Sequence, residues 1–253
     1  TYGADSYWSQ ANSYQPQDMC EGDNIVFAPT ANYVNYFGME NGLPLNDADS
    51  GFDPEHPWKD RDPRFYKNFV YDGMKIVSGT MSSAEEVWRY ANLYSGGNYR
   101  NDERKTSRSG YLNYKFIPIG ANKWDKTYGY SYAHHIHLSW MRLADVYLMY
   151  AEAAAQGYGA PAGKDGNFSK TAVEAVNVVR ERAGVGSFAG KYISSLDGFM
   201  TELYRERAVE LSFEGHRVID LRRWLLLTEY PYNIKTRQEF DRAAELDPEV
   251  DPR

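Results

Sequence analysis

The spacing of apolar residues predicts a helical segment over residues 138–230. The stretch LSWMRLADVYLMYAEAAAQG is apolar on nearly every side, which predicts a helix packed between other elements and ended by Gly157. Further helical patterns follow it after short polar connections. A succession of this kind predicts antiparallel helix pairs that stack on one another.

The later helices in this segment carry recognisable start and stop signals. Thr171 and Glu174 form a capping box before a helix that Gly184 ends. Asp197 is expected to cap the next helix, and Gly215 separates that helix from the last one, HRVIDLRRWLLL. These signals place the helix boundaries before any tertiary contact is considered.

Residues 1–137 have a different texture. Gly, Asn, Asp, Pro and Tyr are frequent and apolar runs are short, which predicts an irregular, loop-rich segment. The runs FYKNFVY and MKIV flank Asp72-Gly73, a dipeptide that favours a type I′ turn, and so predict a small β-hairpin. Residues 231–253 are polar, lack an apolar period, and are expected to be an incomplete end.

A short helix is predicted inside the loop-rich segment. Glu85 and Glu86 lie three residues after Ser82 and Ser83 and can complete a capping box. The residues predicted to share its buried face are Val87, Ala91 and Tyr94, and Gly96-Gly97 is expected to end it.

Composition narrows the class of protein. A chain of 253 residues can bury the core of one large domain or two small ones. Its net charge of -7, with no domain-scale basic stripe, argues against nucleic acid as a partner. The longest apolar run, around 146–155, is too short to cross a bilayer. Cys20 is the only cysteine, which excludes an intrachain disulfide framework.

Aromatic residues are the unusual feature of the composition. They make up 15% of the chain, and four of the six tryptophans precede residue 138, where the pattern predicts loops. Flat rings with polar edges suit a sugar, which is apolar on its C–H faces and polar at its hydroxyls. The residues predicted to contact a ligand are Trp88, Tyr94, Tyr99, Trp124, Tyr128 and Tyr130.

Acidic residues near the end of the helical segment raise the question of catalysis, because paired carboxylates carry out glycoside hydrolysis. The acids concerned are Glu206, Glu210, Glu214 and Asp220. Arginines are interleaved with all of them, so each acid has a cation within helical reach and structural ion pairs are the preferred interpretation. The alternating charges of KDRDPRFY (59–66) likewise favour a structurally fixed turn over a segment that binds a polar ligand. No catalytic residue is predicted, and the chain is not expected to be an enzyme.

Two segments invite a metal interpretation. The loop 46–51, NDADSG, is rich in oxygen ligands, but an EF-hand is excluded because Ala48 and Pro57 fall on ligand positions; an irregular calcium site remains open. His134, His135 and His137 form a cluster without a nearby cysteine. No resident cofactor or metal is predicted.

Several phrases resemble, in order and spacing, the carboxyl-terminal part of the SusD-like (SusD/RagB) outer-membrane nutrient-binding lipoproteins. They are NGLPLND (41–47), GFDP with KDRDPRFY (51–66), SGYLNYKF (109–116), RLADVYLMYAEA (142–153), AVNVVRERAGV (175–185) and ERAVELSFEGHRVIDLRRW (206–224). The resemblance implies a mostly α fold, in which helix pairs build a TPR-like scaffold and the loop-rich residues 1–137, with their long irregular excursions, form the ligand-facing segment. It also implies a cell-surface lipoprotein that closes over a SusC-like, TonB-dependent barrel transporter. The amino-terminal half of the family, its lipidated cysteine and its Pro-rich closing segment have no match here, so the chain is expected to be part of a longer protein whose lipid anchor lies outside this sequence.

The resemblance and the loop aromatics together predict the capture of oligosaccharides for delivery to the transporter, without catalysis. Peptides in the same role are the first alternative, because some members of the family bind them. A glycoside hydrolase and a TPR-like scaffold that binds only proteins are the remaining alternatives.

Overall fold

A computed structural model describes residues 15–20, 27–117, 120–126 and 139–242. The fold is mostly helical, as predicted. Its helices are α1 (Gln17–Cys20), α2 (Ala31–Val34), α3 (Phe65–Asn68), α4 (Leu143–Tyr158), α5 (Ala172–Ala183), α6 (Leu196–Glu210) and α7 (His216–Arg223). The remaining regular elements are a 3₁₀ helix (Glu86–Trp88) and the two short strands β1 (Phe69–Val70) and β2 (Leu112–Asn113).

Helix α4 packs against both α5 and α6, in agreement with the predicted helix pairs. Its inward face is largely alanine, with Ala151 and Ala155 fully buried, so the neighbouring helices can approach closely. Val176 of α5 and Leu203 of α6 complete this apolar contact. Burial of these side chains, rather than helix propensity, holds the three helices together.

The outward face of α4 differs from the prediction that this helix is packed on every side. Leu143 is 68% exposed and Val146 is 42% exposed. The adjacent Trp140 is 98% exposed, and Ile219 on α7 is 64% exposed. Among the described residues nothing covers this face, although its residues are apolar.

The helix ends confirm part of the predicted signals. Glu174 N donates to Thr171 Oγ1 at 3.2 Å, and Thr171 N donates to Glu174 Oε2 at 2.7 Å, which is the predicted capping box. Gly184 ends α5 in the left-handed conformation, with φ 74°. Gly215, also left-handed, precedes α7.

Two predicted helix ends were wrong by a few residues. Helix α4 begins at Leu143 and runs through Gly157 to Tyr158, because Gly159 is the residue that adopts the left-handed conformation. Ser195, not Asp197, caps α6, since Gly198 N donates to Ser195 Oγ at 3.1 Å. A serine two residues upstream offers the oxygen at the correct position for the first free N–H groups.

The predicted hairpin at Asp72-Gly73 was also wrong. Strand β1 pairs antiparallel with the distant β2, and part of FYKNFVY forms α3. The backbone after Gly73 instead pairs with residues 89–91, and the Asp72 carboxylate accepts a hydrogen bond from Leu93 N at 2.7 Å. Long-range contacts therefore override the local turn signal at this dipeptide.

The predicted short helix is a single 3₁₀ turn. Ser82 Oγ donates to Glu85 Oε2 at 2.7 Å, so the expected serine–glutamate pair forms, but the turn ends after Trp88. Val87 is 48% exposed, whereas Ala91 is fully buried. Only part of the predicted buried face is therefore buried.

The loop-rich segment is tied to the helical segment by a shared core and by buried charges. Val209 of α6 packs in an aromatic cluster with Phe65 and Phe69. Arg64 pairs with Glu206 at 2.5 Å and with Glu210 at 2.9 Å. These contacts confirm the structural interpretation of the acids near the end of the helical segment.

Glu206 lies at the centre of these charges. It is fully buried and also pairs with Arg180 at 3.1 Å. Burial raises the pKa of Glu206, but the Arg64 and Arg180 guanidiniums outweigh it and hold that pKa at about 2. The carboxylate therefore stays ionised and is committed to its arginines.

Candidate ligand-binding cleft

The structure brings three of the predicted ligand-contacting aromatics into one cluster, where they serve packing. Tyr99 is fully buried, and its hydroxyl donates to Trp88 O at 2.7 Å. The Trp88 ring is half-buried and lies 5.3 Å from the Tyr99 ring, centroid to centroid. Trp124 packs against the same cluster. Tyr99 has no exposed ring face to offer a ligand, because the loop around it folds back on its own apolar residues.

The other predicted aromatics are placed less favourably than the sequence suggested. Trp124 is half-buried rather than exposed, and the Lys123 ammonium lies 4.5 Å from its ring centroid. The Arg242 guanidinium lies 4.7 Å from the Tyr94 ring. Tyr128 and Tyr130 lie outside the described residues.

A cleft of about 740 Å³ lies elsewhere, between the loop 44–57, helix α6 and the segment 231–238. This volume is typical of small-molecule sites. Its aromatic lining residues are Tyr36, Phe52, Tyr111, Tyr192 and Tyr232. Its amide lining residues are Asn32, Asn35, Asn46 and Gln238, and its charged ones are Arg61, Glu202 and Arg205.

The NGLPLND phrase shapes the loop that borders the cleft. Asn41 Nδ2 donates to Ser50 O at 3.0 Å, and Leu43 N donates to Asn41 Oδ1 at 3.0 Å. Gly42 has φ 89°, and a Cβ there would lie 2.0 Å from Arg180 Nη2. Both the conformation and the close approach of arginine therefore require glycine at this position.

Two tyrosines of the cleft share a cation. The Arg217 guanidinium carbon lies 4.8 Å from the Tyr36 ring centroid and 5.5 Å from the Tyr232 ring centroid. Both rings are half-buried, so each keeps exposed surface. Rings held in this way are stiff and can stack on a flat ligand at little entropic cost.

Tyr192 is held in place by the acidic loop 46–51. Its hydroxyl donates to the Asp47 carboxylate, and Lys191 Nζ lies 2.6 Å from that carboxylate. The hydrogen bonds from Lys191 and Tyr192 lower the pKa of Asp47 to about 2. Burial, and then Asp47, raises the pKa of Tyr192 to about 12. Asp47 thus accepts a hydrogen bond from Tyr192, pairs with Lys191, and so fixes the orientation of Tyr192 in the cleft.

The floor of the cleft contains buried charges. Arg205 pairs with Glu202 at 2.6 Å and donates to Gly42 O at 3.0 Å. Arg61 is 1% exposed and donates to Pro57 O at 2.7 Å and to Phe37 O at 2.6 Å. Burial lowers the pKa of Arg61.

The amides bring hydrogen-bonding groups to the cleft wall. Asn32 is committed to the chain, since Nδ2 donates to Ile234 O at 2.9 Å and Oδ1 accepts from Thr236 N at 3.1 Å. Gln238 Oε1 accepts from Tyr111 Oη at 2.8 Å, which fixes the orientation of its amide. Asn35 and Asn46 are exposed at the mouth. Rings beside amides can hold both the apolar faces and the hydroxyls of a sugar.

The described part of the chain holds no group of three or more His, Cys, Asp or Glu residues arranged for a metal ion. His134, His135 and His137 lie outside the described residues. As far as the structure describes them, the helices are too short or too polar to qualify as membrane spans.

Sequence reasoning missed this cleft because its lining residues are far apart in the chain. Tyr36, Tyr192 and Tyr232 come from three segments that only tertiary packing brings together. The available signal was the NGLPLND phrase, whose glycine and asparagines indicate a specific loop. Nothing in the spacing of the tyrosines pointed to a common site.

Comparison with known proteins identifies the family. A model of the SusD family (SusD/RagB) matches residues 1–250, and the chain belongs to this family. A SusD-like protein of Formosa agariphila is 33% identical over 151 residues, which are 57% of this chain and 27% of that protein.

Solved structures show the same fold. A SusD-like protein of Bacteroides fragilis is 25% identical with a TM-score of 0.56, over 80% of this chain and 37% of that one. A SusD-like carbohydrate-binding protein of the same species is 21% identical with a TM-score of 0.62, over 88% of this chain and 40% of that one. The chain therefore spans between about a quarter and two fifths of the length of these relatives.

Proposed function

We propose that the protein captures oligosaccharides at the cell surface and that the cleft is the binding site. The observation that carries the proposal is the juxtaposition of the tyrosines Tyr36, Tyr192 and Tyr232 with the amides of Asn35 and Gln238 around one cavity. Membership of the SusD family and the fold shared with a carbohydrate-binding relative support it.

The role in uptake follows from the family. A lipid anchor outside this sequence would hold the protein at the outer membrane, and a SusC-like, TonB-dependent barrel would receive the captured glycan. The absence of a catalytic role is supported by the acids of α6, because Glu206 and Glu210 are bound by arginines and have no free carboxylate to act as an acid or base.

Calorimetric titration against a panel of soluble glycans, with a peptide mixture as a parallel arm, tests the proposal. Saturable heat from a glycan is expected, and Tyr232→Ala should weaken binding at least several-fold, because the variant loses the ring on which the apolar C–H face of a sugar packs. Trp88→Ala is the matched control from the first cluster. If only peptides give heat, the protein captures peptides instead of glycans. If Trp88→Ala abolishes glycan binding and Tyr232→Ala does not, the binding site lies at the loop aromatics and not in the cleft.

A further inference from the structure

The charges around the cleft do not balance. Its charged lining residues are Arg61 and Arg205 against Glu202, which gives two positive charges and one negative charge. The chain as a whole has a net charge of -7. The lining of the cleft thus carries one net positive charge in a protein that is acidic as a whole.

Arg61 is the first unbalanced cation. Its guanidinium forms no ion pair among the described residues and donates only to the backbone carbonyls of Val34, Phe37, Gly38 and Pro57. Carbonyl dipoles replace part of the lost hydration, but they do not cancel the charge. Its field therefore reaches the cleft through a poorly screened interior.

Arg217 is the second unbalanced cation. Nη1 reaches Tyr204 O at 3.4 Å, and the buried Nη2 has no hydrogen-bond partner in the described structure. The guanidinium lies against Tyr36 and Tyr232, whose rings line the cleft. The positive charge of Arg217 thus lies against two of the tyrosine rings that line the cleft.

The acids near the mouth offset these cations only in part. Asp47 and Asp49 share Lys191, at 2.6 and 2.7 Å, so this group keeps one net negative charge. The other carboxylates of the loop 44–57 are exposed, where solvent screens their charge. Glu202 is committed to Arg205. An anionic group in the cleft would therefore lie in the field of Arg61 and Arg217, which have no carboxylate partner among the described residues.

From this geometry we infer that the cleft selects acidic oligosaccharides, those that carry carboxylate or sulfate groups, over neutral ones. The inference rests on the proposed capture of glycans in this cleft. Tyrosine rings supply the stacking that any sugar can use, and Arg61 and Arg217 supply the preference for a negative charge.

The test compares two ligands with the same sugar backbone, one with free carboxylates and one with those carboxylates converted to neutral methyl esters, and uses the salt dependence to isolate the effect of charge. Trigalacturonic acid and its trimethyl ester are titrated into the full chain at a salt concentration of about 0.05 M. The acid is expected to bind about tenfold more tightly than the ester, and the difference should shrink at about 0.5 M salt because the attraction is screened. Equal binding of acid and ester at low salt would overturn the inference.

Substitutions at Arg217 locate the effect. Arg217→Gln should reduce the preference for the acid roughly fivefold, whereas Arg217→Lys, which retains the charge, should keep it. Thermal unfolding of both variants establishes that they are folded. A preference unchanged in Arg217→Gln would overturn the assignment of the charge effect to Arg217.

A failure of the inference can be told apart from a failure of the proposed function. If neither trisaccharide binds, the panel of glycans is titrated with its acidic members and their neutral counterparts side by side. Capture of a neutral glycan alone overturns the acidic preference and leaves glycan capture standing. If no glycan gives a binding heat, the acidic preference and the proposed capture of glycans are both overturned.

Discussion

Glu206 shows how single residues couple the two segments of the chain. Its carboxylate binds Arg64 from the loop-rich segment and Arg180 from α5, and all three groups are largely shielded from water. A buried ion pair contributes little net stability over a well-packed apolar pair, but the loss of one partner leaves an uncompensated charge. Glu206 is therefore expected to be one of the residues least tolerant of substitution.

We predict that Glu206→Gln lowers the free energy of unfolding by about 3 kcal/mol, because two buried guanidiniums lose their shared anion. Urea unfolding of the two proteins measures the difference. The matched control is Glu86→Gln, whose exposed carboxylate pairs with Arg89 and whose loss should lower the free energy of unfolding far less, because solvent screens an exposed pair. Equal losses in the two variants would contradict the central role of Glu206.

The same residue predicts a pH dependence. Its usual pKa is 4.5 and its pKa in the folded chain is about 2. Because the folded carboxylate takes up a proton less readily than the unfolded one, its contribution to stability is complete above about pH 4.5 and is lost as the pH falls from 4.5 towards 2. The stability difference between wild type and Glu206→Gln should therefore narrow across this range, and a constant difference would show that Glu206 is not the group that titrates.

At the residue scale, the sequence predicted that the acids of residues 206–220 form ion pairs, which is confirmed, but it did not predict their partners. Glu206 pairs with Arg64 and Arg180 from other segments, and not with the arginines that lie within helical reach of it. Whether an aromatic ring is buried or exposed depends on which distant segments pack against it. Tyr99 became core, whereas Tyr36, which the sequence did not single out, lines the cleft.

At the scale of elements, the glycine that ends α5 allows the energetic cost of a left-handed backbone conformation to be measured. Gly184 has φ 74°, and the nearest atom to a Cβ placed there is Pro63 Cγ at 3.8 Å, an ordinary contact. Space is therefore available, and only the left-handed conformation opposes a side chain.

We predict that Gly184→Ala destabilises the protein by about 1 kcal/mol. Gly190→Ala is the control, because a Cβ there meets open space and its φ lies outside the left-handed region. That variant should be neutral or slightly stabilising, since alanine restricts the unfolded chain. Thermal unfolding midpoints compare the two, and a larger loss in Gly190→Ala would contradict this account.

Helices were predicted more successfully than the short strands for a physical reason. The signals of α5, from Thr171 to Gly184, act within a few residues and form wherever the helix is placed. The strands β1 and β2 are two residues each and lie more than forty residues apart in the chain. Their pairing depends on the surrounding core, which the dipeptide Asp72-Gly73 does not encode.

At the scale of the whole molecule, the loop-rich segment and the helices act as one unit around the cleft. Its walls come from the loop 44–57, from α6 and from the segment 231–238, which itself pairs with the loop-rich segment through Gln238 N and Ser109 O at 2.9 Å. The sequence predicted the helical scaffold, while the ligand-facing role of the loop-rich segment stays a prediction. It could not predict the cleft, because that site exists only once distant segments have packed.

The most direct test of glycan capture in this cleft is a crystal structure of the full chain soaked with a glycan that gives saturable heat. We predict electron density for sugar rings against Tyr36 and Tyr232, with hydroxyls near the Gln238 amide. Density against Trp88 and Trp124 with an empty cleft would contradict the account.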